Sequence, residues 1–150
     1  MESSQHSHTP LLNPAGPHAL EWHQFKELVL AQKTQRREQL WEGLAALAHY
    51  FQRADLANME IWIDGSMVTS KPIPVDVDVV VWVPPAHVDH CAQPAYEMLE
   101  RLKNRSMVRQ KYLVDLYIGN AESNVERDYW RAHFSRARDG SPKGFAQITL

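Results

Sequence analysis

The strongest constraint on the fold is an apolar run over residues 76–83 that contains two acidic residues, Asp76 and Asp78. β-Branched and aromatic residues dominate this run, which is typical of a buried strand. Side chains on a strand alternate between the two faces of a sheet, so both carboxylates point the same way. Burying two like charges is costly unless a partner offsets them. A divalent cation is the simplest partner, and carboxylate oxygens suit Mg²⁺ or Mn²⁺.

Two other predicted strands bring polar residues to similar positions. Residues 59–63 predict a strand that ends at Asp64, followed by Gly65 and Ser66. Glycine permits a positive φ or a close backbone approach, and the serine hydroxyl and N–H can bind an anion. Residues 112–118 predict another strand, in which Asp115 interrupts the apolar side chains. A third carboxylate therefore also lies within an apolar strand.

The rest of the chain predicts helices and one closing strand. Apolar spacing favours helices over residues 20–30, 34–54, about 90–102 and 124–137, and a final strand over 145–150. The 44% hydrophobic content of the 150 residues is enough for one core. We predict a flexible tail or draped arm over residues 1–18 and a single domain over residues 19–150.

Composition limits the partners and the compartment. The net charge of −2 argues against strong binding of long nucleic acid. The single cysteine, Cys91, cannot form an intramolecular disulfide, and no segment resembles a signal peptide or a membrane span. These features predict a cytoplasmic protein without a membrane partner.

Several basic or metal-ligating residues have a simpler interpretation than binding. The pair His6 and His8 and the group His87, His90 and Cys91 lack further ligands at familiar zinc spacings. We therefore interpret them as solvent-exposed, loop or helix-cap residues.

The same preference holds for the basic side chains. Arg36 and Arg37 predict an exposed helix face rather than a phosphate contact, and Lys143 is expected to be exposed. Arginines alternate with aromatic residues over 124–137, which favours an amphipathic helix whose aromatics face the core. Nucleotide or single-strand binding is the alternative for that helix.

Taken together, the Gly65-Ser66 turn, the Asp76 and Asp78 strand and the later Asp115 strand resemble the nucleotidyltransferase superfamily that includes DNA polymerase beta. The resemblance covers residues 59–118 and is greatest to the minimal stand-alone nucleotidyltransferases of bacteria. Residues 62–66, 69–72 and 130–144 also look like a group of bacterial proteins that are often considered with toxin–antitoxin or phage-defence systems.

The resemblance implies an α/β (α+β) fold, with a small mixed sheet flanked by helices, and a set of catalytic roles. Asp76 and Asp78 would bind two Mg²⁺ ions, and Asp115 would bind the catalytic ion and orient the attacking hydroxyl. Gly65 and Ser66 would hold the β- and γ-phosphates of a nucleoside triphosphate. Lys71 would add a cation. One departure is that residues 67–69 read Met-Val-Thr, where many minimal members have an arginine that helps to hold phosphate.

The predicted activity is transfer of a nucleoside monophosphate from a nucleoside triphosphate to a hydroxyl of a protein, a tRNA or a small molecule. The alternative is a non-catalytic, antitoxin-like or nucleotide-binding protein that keeps the fold and covers a cognate toxin or antitoxin partner. Metal-dependent phosphodiester hydrolysis usually adds histidine ligands, and the histidines here lie outside the three central predicted strands.

Overall fold

A computed structural model describes residues 8–53, 59–86 and 93–150, with the side chains of residues 93–95 excepted. These residues form an α/β fold of five helices and one open, five-stranded mixed sheet. The helices are α1 (Trp22–Val29), α2 (Gln35–Arg53), α3 (Gln93–Leu102), α4 (Arg105–Tyr112) and α5 (Asn124–Phe134). The strands are β1 (Gly16–Ala19), β2 (Glu60–Asp64), β3 (Val77–Val83), β4 (Val114–Asn120) and β5 (Gly144–Thr149).

The strand order is β1-β5-β2-β3-β4. β1 runs parallel to β5 and β3 runs parallel to β4, whereas β2 is antiparallel to both of its neighbours. The α3–α4 segment makes the crossover between β3 and β4, as parallel neighbours require. The central position of β3 explains why its side chains are almost all buried.

The two faces of the sheet are covered differently. On one face, alternate residues of the strands pack with α1, α2, α3 and α4 in the main core, which includes Phe25, Leu44, Val79 and Leu102. The other face carries a smaller aromatic cluster beneath α5. Its buried members are Trp62, Val80, Trp82, Phe134 and Phe145. The period-two alternation of strand side chains separates the two cores.

Most predicted elements are confirmed with shifts of one to three residues at their ends, but β1 and α4 were not predicted. β1 has the sequence Gly-Pro-His-Ala, which has no strand pattern of its own and depends on pairing with β5. α4 is rich in basic residues and lacks a broad apolar face. Its start is marked by Asn104, whose side chain accepts a hydrogen bond from the Met107 N–H.

The segment before β1 lies against the domain. The Leu11 N–H donates to the Val68 carbonyl, and the Ser70 N–H donates to the Thr9 carbonyl. Leu12 is buried, and its carbonyl accepts from the Gly144 N–H. Residues 9–12 therefore form a draped arm, one of the two alternatives predicted for residues 1–18. Residues 16–19 then form β1. Residues 1–7 lie outside the described residues.

The described helices include none that is long and apolar enough to cross a membrane.

Close packing between α2 and α4 makes Gly43 a sharp test of the fold. A Cβ atom at Gly43 would lie 2.0 Å from the Tyr112 carbonyl oxygen. Replacing glycine with alanine within a helix usually stabilises it by about 1 kcal/mol. Here we expect Gly43→Ala to lower the free energy of unfolding by about 2–4 kcal/mol, because backbone would have to move.

Chemical denaturation measures this effect. Ala46→Gly, at an exposed position of the same helix, is the matched control and should cost about 1 kcal/mol. A Gly43→Ala variant as stable as the wild type would contradict the described packing of α2 against α4.

Candidate active site

Three aspartates occupy one transverse row across the sheet. Asp64 is the register partner of Asp78 between β2 and β3, and Asp78 is the register partner of Asp115 between β3 and β4. Directly opposed residues of neighbouring strands share a face of the sheet, so the three carboxylates lie on the same side. Asp76 precedes Asp78 by two residues and adds a fourth carboxylate nearby. The structure therefore brings the predicted Asp76, Asp78 and Asp115 together.

Asp64 was not predicted as an acidic site residue. The sequence did contain a signal for Asp64, because this residue lies between the predicted strand over residues 59–63 and the Gly65-Ser66 turn. A sequence shows no strand register, so the pairing of Asp64 with Asp78 emerges only from the sheet.

The Gly65-Ser66 turn lies against the start of β3. Gly65 has φ 101°, a conformation that favours glycine. A Cβ atom there would lie 3.1 Å from both the Asp76 carbonyl oxygen and the Asp78 nitrogen. The Ser66 hydroxyl accepts from the Val75 N–H at 2.9 Å and donates to Asp76 Oδ1 at 3.4 Å. The predicted turn and the predicted carboxylates are thus in direct contact.

Crowding of acids changes the proton affinity of Asp78. Burial, followed in order of size by the negative charges of Asp76, Asp64 and Asp115, raises the pKa of Asp78 to about 7, although the Lys143 ammonium lowers it. Burial also raises the pKa of Asp64 to about 6, although the Lys143 ammonium opposes this shift. The row therefore holds more negative charge than its surroundings stabilise, which is an environment suited to a cation.

Lys143 offsets the charge of Asp64. Its ammonium lies 2.5 Å from Asp64 Oδ1, and both side chains are more than 90% buried. The expectation that Lys143 is exposed was wrong. Lys143 immediately precedes β5, which pairs with β2, and its side chain lies beside Asp64 at the end of β2. Removing either partner would leave an uncompensated buried charge.

Asp115 has cationic neighbours from α4. Arg105 Nη2 lies 2.6 Å from Asp115 Oδ1, and Arg109 Nη1 lies 4.0 Å from Oδ2. The Tyr117 hydroxyl also donates to Oδ2 at 3.2 Å. Sequence patterns did not indicate these contacts, because α4 itself was not predicted.

Arg37 organises the loop that joins the Gly-Ser turn to Asp76. Its side chain is 1% exposed, so the prediction of a solvated helix face was wrong for this residue. The guanidinium donates to the carbonyl oxygens of Val29, Met67, Thr69 and Lys71. Burial lowers the pKa of Arg37. A fixed fork of donors suits this use, since it satisfies several carbonyls of one loop at once.

Arg36 extends the same arrangement. Its guanidinium donates to the carbonyl oxygens of Pro74 and Val75, at 3.0 and 2.7 Å. Two neighbouring arginines of α2 therefore hold the loop from residue 67 to residue 75 by its backbone. The loop positions Asp76 at the entrance to β3.

Other predicted site residues contribute less. Lys71 uses its carbonyl as an acceptor for Arg37, and within the described residues its ammonium forms no ion pair. No three acidic, histidine or cysteine side chains in the described ranges converge closely enough to hold a metal ion. Asp64 forms an ion pair with Lys143, and Asp115 forms one with Arg105. Within the described residues, Asp76 and Asp78 are therefore the two aspartates of this group that have no ion-pair partner. His6, His87, His90 and Cys91 lie outside the described residues.

Helix α5 carries an aromatic strip beside the row. The Tyr117 ring lies 4.5 Å from Trp130, and Trp130 lies 5.1 Å from Tyr129, measured between centroids. Phe134 packs in the core as predicted, but Tyr129 is 60% exposed. Arg127 is directed inward, with its guanidinium 4.5 Å from the Trp82 ring centroid and bonded to Glu60.

A cavity of about 330 Å³ lies at the far ends of β3 and β4. It is lined by Val83, Tyr96, Leu99, Ile118 and Asn120 among others. Since Val83 is five residues beyond Asp78, about 16 Å along the strand, this cavity is separate from the carboxylate row.

A family model described as "Family of unknown function (DUF6932)" matches residues 5–149. No curated protein and no solved structure matches the chain.

The raised pKa of Asp78 makes stability depend on pH. The folded carboxyl binds its proton more tightly than the unfolded one, so its contribution to the free energy of unfolding falls as pH rises from about 4 to about 7. We expect metal-free Asp78→Asn to be more stable than the wild type at pH 8 by about 1–2 kcal/mol, and the gain to vanish near pH 4.

Urea denaturation in EDTA across this pH range measures the difference. Asp128→Asn, at an exposed position of α5, should show no such pH-dependent gain. A pH-independent difference in the free energy of unfolding between Asp78→Asn and the wild type would show that the pKa of Asp78 is not raised in the folded protein.

The donors of Arg37 give a second expectation. Arg37→Lys keeps the charge but cannot reach four carbonyl oxygens, so we expect a loss of about 3 kcal/mol in the free energy of unfolding. Proteolysis within residues 66–75 should also become faster. Arg53→Lys, at the exposed end of α2, should change neither quantity. Equal behaviour of the two variants would contradict the role of Arg37.

Proposed function

This chain belongs to the DUF6932 family, and we propose that it is a metal-dependent nucleotidyltransferase with the fold of the polymerase beta superfamily. It would move a nucleoside monophosphate from a nucleoside triphosphate to a hydroxyl of a protein, a tRNA or a small molecule. Support comes from the site and from the order of its motifs along the chain.

One observation carries the proposal. Asp78 lies in register with Asp115, Asp76 lies two residues before Asp78, and the Gly65-Ser66 turn contacts the backbone of both Asp76 and Asp78. A phosphate held at the turn would lie next to the carboxylates. Nucleotidyl transfer needs this adjacency, because the reacting phosphorus must be positioned where cationic charge offsets the charge on the attacking and leaving oxygens.

The residues fit Mg²⁺ or Mn²⁺. Asp76 and Asp78 provide two carboxylates on one face, and the raised pKa of Asp78 arises partly from the neighbouring acids that a cation would neutralise. Mg²⁺ is commonly bound through one or two protein carboxylates together with phosphate oxygens. The bound ions would supply charge stabilisation and activate the attacking hydroxyl.

The chain's own groups would position the reactants. The backbone N–H groups at the Gly65-Ser66 turn would bind phosphate oxygens, and the Ser66 hydroxyl would add a donor. Arg37 would hold the loop rigid, so that Asp76 stays in place. Asp115 would orient the attacking hydroxyl once its contact with Arg105 is released.

A second function is favoured by the surface of α5. Val125 is 81% exposed and Tyr129 is 60% exposed on this helix. Exposed apolar side chains of this kind can form a protein interface. A non-catalytic protein that covers a cognate toxin or antitoxin would use this helix and leave the carboxylate row idle.

Transfer of label separates the two functions. With an α-³²P-labelled nucleoside triphosphate, Mg²⁺ and candidate acceptors, the wild type should label its acceptor, and Asp78→Asn should reduce the rate at least about 100-fold. Asp76→Asn should behave similarly. Asp139→Asn, at an exposed turn, is the control and should retain full activity.

Mass spectrometry of co-expressed partners adds a direct test. A catalyst leaves an added nucleotide mass on a partner, whereas a covering protein leaves its mass unchanged. Full transfer activity in Asp78→Asn would remove the proposed mechanism.

A further inference from the structure

Two arginines of α4 converge on a single carboxylate. Arg105 and Arg109 are one helical turn apart, and both reach Asp115, at 2.6 and 4.0 Å. The Asp115 side chain is 16% exposed, whereas the two arginine side chains are 54% and 59% exposed. Both guanidinium groups therefore have room to take another partner at the edge of the carboxylate row.

Arg105 is held in a defined orientation. Its guanidinium carbon lies 4.2 Å from the Tyr117 ring centroid, and its Nη2 also donates to the Tyr117 hydroxyl at 2.8 Å. A guanidinium held by an aromatic ring and its hydroxyl has a restricted orientation, and its planar set of donors suits a carboxylate or a phosphate. The group is thus oriented for an anion before any ligand arrives.

Local charge favours a phosphate at this position. Residues 101–111 contain five basic residues and no acidic one, although the whole chain has a net charge of −2. The three residues after Gly65-Ser66, Met67-Val68-Thr69, include no cation, and Lys71 farther along the loop is an ammonium rather than a guanidinium. Arg36 and Arg37 of α2 both donate to backbone carbonyls. α4 is therefore the element that can supply exposed guanidinium groups beside Asp115.

The contact between Arg105 and Asp115 opposes metal binding. A divalent cation and a guanidinium on the same carboxylate would repel each other at a separation of a few Å. Occupation of Asp115 by a metal ion thus requires Arg105 to move, and the displaced guanidinium needs a new anion. A phosphate that arrives with the metal ion meets this need.

We propose that Arg105 and Arg109 form a phosphate-binding pair that holds Asp115 in the absence of metal and moves to a substrate phosphate when Asp115 binds a divalent cation. This inference rests on the proposed function, because it takes Asp115 as a metal ligand. The phosphate would belong to the nucleotide or to a phosphorylated acceptor. The arginines would link metal loading to phosphate binding.

Binding measurements test the pair without requiring turnover. Free Mn²⁺ is measured by electron paramagnetic resonance for the wild type, Arg105→Gln, Arg109→Gln and Lys111→Gln. Lys111 is an exposed cation of the same helix and has no contact with Asp115, so it is the charge-matched control. Binding of inorganic tripolyphosphate is measured by calorimetry with and without Mn²⁺.

We expect Arg105→Gln to bind Mn²⁺ alone about three- to tenfold more tightly, because its competitor for Asp115 is gone. The same variant should bind tripolyphosphate at least about tenfold more weakly in the presence of Mn²⁺. Arg109→Gln should change both in the same directions by less, since it lies farther from the carboxylate. The inference is overturned if Arg105→Gln matches Lys111→Gln in both measurements.

Asp115→Asn in EDTA separates this inference from the proposed function. Loss of the carboxylate frees both arginines, so tripolyphosphate should bind more tightly than to the wild type without any metal. If no protein binds Mn²⁺ but Asp115→Asn shows this gain, the arginines bind phosphate as proposed, whereas their link to metal loading and the metal-dependent function both fail. If Mn²⁺ binds but Asp115→Asn shows no gain, the arginine pair fails alone.

Two further ligands distinguish the sources of phosphate. Weaker binding of a nonhydrolysable ATP analogue to Arg105→Gln, with unchanged binding of a 5′-phosphorylated oligonucleotide, assigns the pair to the nucleotide. The opposite result assigns it to the acceptor. Thermal melting of each variant confirms the fold.

Discussion

Mutual repulsion of four carboxylates at one edge of the sheet is the constraint on which the site depends. Asp64, Asp78 and Asp115 come from three strands and Asp76 immediately precedes β3, whereas the cations that offset them come from α4 and from the residue before β5. Lys143 precedes β5 and neutralises Asp64, while α4 supplies Arg105 and Arg109 to Asp115. Asp76 and Asp78 form no ion pair within the described residues and lie closest to the Gly-Ser turn. The row therefore has counterions at both ends, with two acids that lack an ion-pair partner between them.

Sequence periodicity predicted the elements whose own residues determine their structure. The apolar run of β3 needs burial on both faces, and the i, i+2 spacing of Asp76 and Asp78 fixes their common side. The apolar spacing of α2 and the Gly65-Ser66 turn are local in the same sense. β1 was not predicted because its four residues form a strand by pairing with β5. α4 was not predicted because polar residues dominate its sequence. In both, tertiary contacts outweigh local preference.

The buried cations mark another limit of sequence reasoning. Lys143 and Arg37 have the types and neighbours of exposed residues, and both are almost fully buried. Their burial depends on partners far away in sequence, such as Asp64 for Lys143 and the carbonyls of residues 67–71 for Arg37. Register across β2, β3 and β4 is likewise a property of the assembled sheet. The predicted acids could therefore be named in advance, but their counterions and Asp64 could not.

The draped arm, residues 9–12, contacts two separate parts of the domain, which its composition does not predict. Through Thr9 and Leu11 it bonds to the loop after Ser66, and through Leu12 it bonds to Gly144, the neighbour of Lys143. One short segment thus connects the loop after the Gly65-Ser66 turn to the start of β5, next to the buried Lys143. Residues 9–12 should therefore be kept intact in recombinant protein that is used to measure this site.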